Sequence, residues 1–274
     1  MRNRIAATLL LVFAAIPLGI LLSAPDQTEP SYNGHTLTYW LEENWYGGPE
    51  VVDALQHIGT NALPFLINGI KHPEDPLPGP HSPEWDTNRT VPPIFLTVRG
   101  FKALGSQALP LVPELTRLGR DPSRLIAESA LNALVLMGTN GFPPIFAALR
   151  DPTHPYRERV AGLLGEANFL GPDAEPAVVA LISALKDPVT GANAARSLGD
   201  FNKVRPDLVV PALADSLKST DVDTRIFSAE SLIWFGQSAA SALPNLTNAL
   251  SDPDPDVRSY ATNAIQSIRR ATPQ

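Results

Sequence analysis

The stretch GPDAEPAVVALISALKD, residues 171–187, decides the fold because its skeleton recurs along the chain. Gly171, Ala174, Pro176, Leu181 and Asp187 are followed at the same spacing by Gly236, Ala239, Ser241, Leu246 and Asp252, and preceded by Gly105, Ala108, Pro110, Leu115 and Asp121. Gly59 to Pro64 and Gly138 to Pro143 repeat the first half and then run three residues short. The period settles near 33 residues between positions 105 and 270. Self-similarity at this period marks units that cannot bury their apolar faces alone and stack to share a core. Such a pattern specifies shape far more tightly than it specifies a ligand.

Each unit reads as two helices. Around position 221, Asp223 and Thr224 offer caps, and Arg225, Ser228, Ser231, Leu232 and Phe235 follow at helical spacing until Gly236 stops the helix. A second helix begins around Ala240, carries Pro244 in its first turn, where a missing N–H costs little, and buries Leu243, Leu246 and Leu250. One period later Asp254, Asp256 and Arg258 take the places of Asp221, Asp223 and Arg225, with Ala261, Ala264, Ile265 and Ile268 behind them. Arg124, Ala127, Ala130, Leu131 and Leu134 keep that spacing too. Small residues in the first helix predict close approach between neighbouring units. Two departures interrupt the array. Residues 72–93 carry seven prolines and read as a surface loop, and Gly199 to Pro211 lengthens one inter-helix turn.

The totals set outer bounds. The 274 residues are 44% hydrophobic and 18% charged, with few aromatics, which suits closely packed helices. There is no cysteine, so disulfides, thiolate nucleophiles, Cys-ligated zinc and lipid attachment through Cys are excluded. The formal charge is −7, and without Arg2 and Arg4 the remainder holds 19 basic against 28 acidic residues, or −9. Phosphate contacts need a net basic surface, so nucleic-acid binding is not expected.

The N-terminus carries a different signal. Arg2 and Arg4 precede an 18-residue apolar run from Ile5 to Leu22, interrupted by Pro17 and closing at Ser23, Ala24 and Pro25. We read residues 1–23 as an uncleaved signal anchor, with a cleaved signal peptide or a buried helix as the alternatives. Either export route places the chain after Leu22 outside the cytoplasmic membrane, facing the periplasm or secreted. Residues 24–34 read as a short linker, and residues 35–48, with Thr36, Leu37, Trp40, Leu41 and Trp45 on one helical face, as a capping helix or, alternatively, an aromatic binding site.

The paired helices, the Asp-Pro turns at Asp121, Asp151, Asp187 and Asp252, and the first-helix arginines Arg124, Arg157, Arg225 and Arg258 resemble HEAT repeats, especially the short kind found in phycobilisome-lyase-like proteins. The segment Tyr32-x-Gly34-x-x-Leu37-x-x-Trp40-Leu41 is similar to one that precedes such repeats in exported bacterial proteins. The reading is an all-α, right-handed solenoid of about six HEAT-like helix pairs over residues 49–271, preceded by a hydrophobic helix. The resemblance implies a scaffold that presents a concave, armadillo-like surface to proteins; a minority of relatives are lyases or DNA glycosylases.

Catalytic motifs are missing from the sequence. No Gly-rich phosphate loop, G-x-S-x-G or H-E-x-x-H occurs, and His35, His57, His72, His81 and His154 are scattered without helical partners at ligand spacing. His57 reads as one more turn of a repeat helix. His72, Glu74, Asp75, His81, Glu84 and Asp86 fall within 15 residues and form the alternative site, a cation-binding or enzymatic loop at 72–93. A lyase-like relative is the third reading. No catalytic residue, cofactor or metal is assigned.

One column of side chains stands out. Seven positions on from the second-helix proline, or from Val179 in its place, stand Lys71, Arg120, Arg150, Lys186 and Lys218, and finally Ser251. Cations near helix C-termini offset the dipole. They also form a candidate protein-binding stripe, one charge per repeat, suited to an acidic extended partner. The sequence thus points to a non-catalytic protein-interaction scaffold of the cell envelope, tethered to the membrane by its N-terminal segment.

Overall fold

The computed structural model describes residues 28–43, 48–73 and 93–270. The expected N-terminal hydrophobic helix and most of the expected surface loop at 72–93 lie outside the described residues. Among the described residues no helix is long and apolar enough to cross a membrane.

The described chain is predominantly helical and runs as a stack of pairs. The first and second helices of successive pairs are α2 (Pro49–Ile58) and α3 (Leu63–Lys71); α4 (Pro93–Leu104) and α5 (Val112–Leu118); and α6 (Arg124–Leu136) and α7 (Phe142–Arg150). The next three are α8 (Arg157–Leu163) and α9 (Glu175–Ala184); α10 (Gly191–Leu198) and α11 (Pro206–Ser216); and α12 (Val222–Ile233) and α13 (Leu243–Ala249). A long helix, α14 (Pro255–Arg270), closes the stack, burying Val257, Ala261, Ala264 and Ile268 on one face while Thr262, Asn263 and Gln266 face solvent.

The glycine that opens each repeated phrase has a geometric reason. Gly59, Gly105, Gly138, Gly171 and Gly236 all sit at φ between 50° and 68°, a region that side chains with a Cβ avoid. The chain then passes through a 3-10 turn, so the second helix of the last pair starts at Leu243 rather than around Ala240. The first helix of that pair is capped by Asp221, whose carboxylate accepts the Thr224 N–H, rather than by Asp223 or Thr224. The fifth pair lacks the glycine signature: Arg205 takes the positive φ instead, at 51°, and α11 begins at Pro206, leaving Pro211 inside the helix.

First helices approach closely, as their small residues predict. Ser197 Oγ donates to the carbonyl of Ala161 at 2.9 Å, Ser231 Oγ to Ala195 at 2.8 Å and Ser267 Oγ to Ile233 at 3.0 Å, so a serine in each helix is tied to the helix before it. A Cβ on Gly199 would meet Ser231 Oγ at 2.7 Å. The shortened turn after α6 is covered by the long 164–174 segment: Leu170 packs over Gly138, and Phe169 reaches Lys102 two pairs away, the ammonium 4.2 Å from the ring centre.

A second set of ties joins the turns between pairs. One carboxylate oxygen of each Asp-Pro turn accepts a backbone N–H two residues on: Asp121 from Ser123, Asp151 from Thr153, Asp187 from Val189 and Asp252 from Asp254. Asp151, Asp187 and Asp252 also receive an arginine from the preceding repeat, from Arg120, Arg157 and Arg225 respectively. These aspartates therefore shape the turn and lock the stacking. Arg124 departs from the pattern and pairs within its own helix with Glu128 at 2.7 Å.

At the N-terminal end the expected linker and capping helix are refined. Ser31–Tyr32 and His35–Thr36 form a two-stranded antiparallel hairpin, turned by Asn33 and Gly34 at φ 51° and 80°, before α1 (Leu37–Glu43). Leu37 and Leu41 are buried against the stack.

Candidate partner-binding groove

Second helices line an open hollow. A groove of about 910 Å³ runs between α7 and α9, the second helices of the third and fourth pairs. Its floor is apolar, formed by half-buried Phe146, by Ala180 and by Val179, which is 49% exposed. One end is formed by Thr139, Pro172, Asp173, Glu175 and Pro176, and the other by Arg150, Arg157, Ser183, Asp187 and Thr190. At the first end α7 follows the three-residue turn Gly138–Asn140 and α9 the eleven-residue segment Leu164–Ala174.

The ion pairs at the two ends leave one charge free at each. At the far end Arg157 is held by Asp187 and by the Leu149 carbonyl, its Nε 2.9 Å away, while Arg150 has no ion-pair partner among the described residues. At the near end Arg205 joins Glu175 to Asp207, its Nη2 2.8 Å from the latter, and Asp173 is left unpaired among the described residues. Arg205 reaches Glu175 from its left-handed backbone conformation.

The five cations of the stripe all lie at or just beyond the C-termini of second helices, but they do not share one role. Lys71 contacts buried Glu114 at 2.7 Å, Arg120 pairs with Asp151, and Lys218 pairs with Asp215 at 3.3 Å on an exposed surface. Arg150 and Lys186 have no ion pair among the described residues, and of the five only Arg150 lines the groove. Sequence spacing found the column. It could not separate paired from unpaired members, because the partners of Lys71 and Arg120 lie one repeat away.

Titratable groups elsewhere do not converge. Glu114, held by Arg117 at 2.9 and 3.0 Å and by Lys71, is lowered to about 2. Burial lowers His154, with the charge of Arg120 adding to it, and its Nδ1 accepts the Tyr156 N–H at 3.2 Å. Desolvation in the 199–201 turn, with the charge of Glu166, raises Asp200. His154 sits in a turn between pairs and Asp200 in a turn within one, so they occupy different edges of the stack. His57 stacks on Tyr32 with ring centres 4.5 Å apart and approaches Asp53 at 3.4 Å. Among the described residues no three His, Cys, Asp or Glu gather to hold a metal. Of the candidate loop ligands only His72 is described; Glu74, Asp75, His81, Glu84 and Asp86 are not.

HEAT repeats match residues 142–234, which contain every lining residue of the groove but Thr139, and a further HEAT repeat matches residues 242–268. No curated protein matches the chain. Among solved structures the chain is similar to human deoxyhypusine hydroxylase in complex with glycerol, at 19% identity over 81% of this chain and 78% of that one, with a TM-score of 0.38. It is similar to an engineered protein at 15% identity over 86% and 99%, TM-score 0.41. It is similar also to the complex of CpcE and CpcF of phycocyanin lyase from Nostoc sp. PCC7120 at 19% identity over 89% and 100%, TM-score 0.32. At these values none of the three lends its activity to this chain.

Proposed function

We propose that this chain is a non-catalytic protein-interaction scaffold that holds a partner in the groove between α7 and α9. The observation that carries the reading is the groove itself: an open apolar floor with an unpaired cation at its rim, on a stack whose turns are tied repeat to repeat. An exposed floor of this kind needs a cover, and repeat stacks display such surfaces without changing their core. With Arg2 and Arg4 ahead of an 18-residue apolar run, the scaffold belongs in the cell envelope, anchored by its N-terminus and facing away from the cytoplasm.

Photo-crosslinking tests the reading. A benzophenone side chain at Val179, in the full chain in its native cells, should trap a discrete protein adduct in the membrane fraction. The same probe at Trp234, exposed but outside the groove, should not. Equal trapping at both sites, or none at Val179, ends the proposal. Full-length protein in the soluble cytoplasmic fraction ends its envelope placement.

A further inference from the structure

The groove has polarity as well as an apolar floor. Its two walls, α7 and α9, are both second helices and run in the same direction, so their N-terminal ends lie together and their C-terminal ends lie together. Asp173 stands free at the first end and Arg150 at the second. Asp187 is matched by Arg157, while Glu175 shares Arg205 with Asp207, which keeps the first end net negative. The two lining charges without an ion pair, Asp173 and Arg150, are separated by about the length of α9. Its ten residues measure about 15 Å at 1.5 Å per residue.

We propose that the groove takes an extended segment carrying an acidic and a basic side chain about four residues apart, with an apolar side chain between them. This rests on the reading of the groove as a partner site and names its occupant. An extended chain advances about 3.3 Å per residue, so four residues cover the distance between the charges. The acidic side chain meets Arg150, the basic one meets Asp173, and the apolar one lies on Phe146 and Val179. A helical segment would need about ten residues between the charges at 1.5 Å per residue, which leaves them about 80° apart around its axis. A wholly acidic partner, which the full cation stripe would favour, places a carboxylate against Asp173 and is disfavoured by like-charge repulsion.

The test uses three fluorescein-labelled peptides, Gly-Glu-Ala-Leu-Ala-Lys-Gly and its Glu/Glu and Lys/Lys counterparts, titrated with the detergent-solubilised full chain at low ionic strength. Fluorescence anisotropy should rank the mixed peptide above both counterparts by about threefold to fivefold, the scale of one exposed charge contact. Arg150→Glu should shift the preference to the Lys/Lys peptide, and Asp173→Lys to the Glu/Glu peptide. Neither charge has a partner to lose, so melting temperatures of both variants should stay near the wild type. Binding of all three peptides with equal strength, abolished by Val179→Glu, would overturn the polarity and keep the partner groove. Failure of every peptide to bind would overturn both.

Discussion

Arg225 grips Asp252 of the following repeat with two hydrogen bonds, Nε to Oδ2 at 2.8 Å and Nη2 to Oδ1 at 3.0 Å, while its Nη1 donates to the Ser219 carbonyl at 2.9 Å. Both side chains are nearly enclosed, at 13% and 10% exposure. The same Asp252 shapes its own turn by accepting the Asp254 N–H. One pair thus fixes the stacking of two repeats and the path of the chain between them.

Arg225→Ala should therefore cost about 3 to 5 kcal/mol, because it strands a carboxylate that has little access to water. Arg225→Lys should recover only part of the loss, since a single ammonium cannot reproduce the fork that spans both oxygens. Urea denaturation of the two variants checks the order. A full recovery by lysine would show that charge alone, and not bidentate geometry, carries the contact.

Leu246 is fully buried between the last second helix and its neighbours. Leu246→Ala should cost about 2 to 5 kcal/mol through lost burial and the cavity left behind. Around Leu246 the core is shared between neighbouring units, so that loss stays local. Hydrogen exchange should rise across α12 to α14 while α4 to α7 keep their protection; uniform acceleration along the chain would contradict the one-dimensional picture.

Acid should weaken the fold in two stages. His154 is buried as a neutral ring, and its pKa is lowered from 6.5. The unfolded chain then takes up that proton first, so stability declines as pH falls below about 6.5. Glu114 follows: its folded value of about 2 lies below its usual 4.5, so its contribution is complete above 4.5 and disappears as pH falls through about 2. The share of Glu114 in this second stage is about 3 kcal/mol, at roughly 1.4 kcal/mol for each pH unit that separates the two values. Glu114→Gln should start less stable at neutral pH and converge with the wild type near pH 2, a pattern that chemical denaturation at a series of pH values will reveal or refute.

The repeat was legible because its markers are local. Gly171 announces a positive-φ turn, Asp187 an Asp-Pro turn and Leu181 a buried face, and each needs no knowledge of the rest of the chain. The hairpin at Ser31–Thr36 was also within reach, since Asn33-Gly34 is a strong two-residue turn signal, but two-residue strands are too short to leave an alternating pattern. The groove was not legible. It arises where a turn shortened at Gly138 meets one lengthened at 164–174, and its charges are defined by which neighbours they fail to meet. Arg120 and Arg150 occupy the same column in sequence, yet one meets an aspartate 31 residues on and the other meets none among the described residues.

That difference separates the two explanations of the column. If these cations serve only the helix dipole, each reversal should destabilise modestly and to a similar extent, at about 0.3 to 1 kcal/mol. The pairing predicts a split instead. Arg120→Glu places a like charge against Asp151 and Lys71→Glu places one against Glu114, so both should lower the melting temperature clearly. Arg150→Glu and Lys186→Glu break no ion pair among the described residues and should leave it nearly unchanged. Only Arg150 lines the groove, so only its reversal should also change peptide preference. Scanning calorimetry on the four single variants, with peptide titration on the same samples, distinguishes the cases. Four equal shifts with unaltered binding would reduce the column to helix ends, whereas loss of stability at Arg120 without loss of binding, and the reverse at Arg150, would assign the first to the scaffold and the second to its partner.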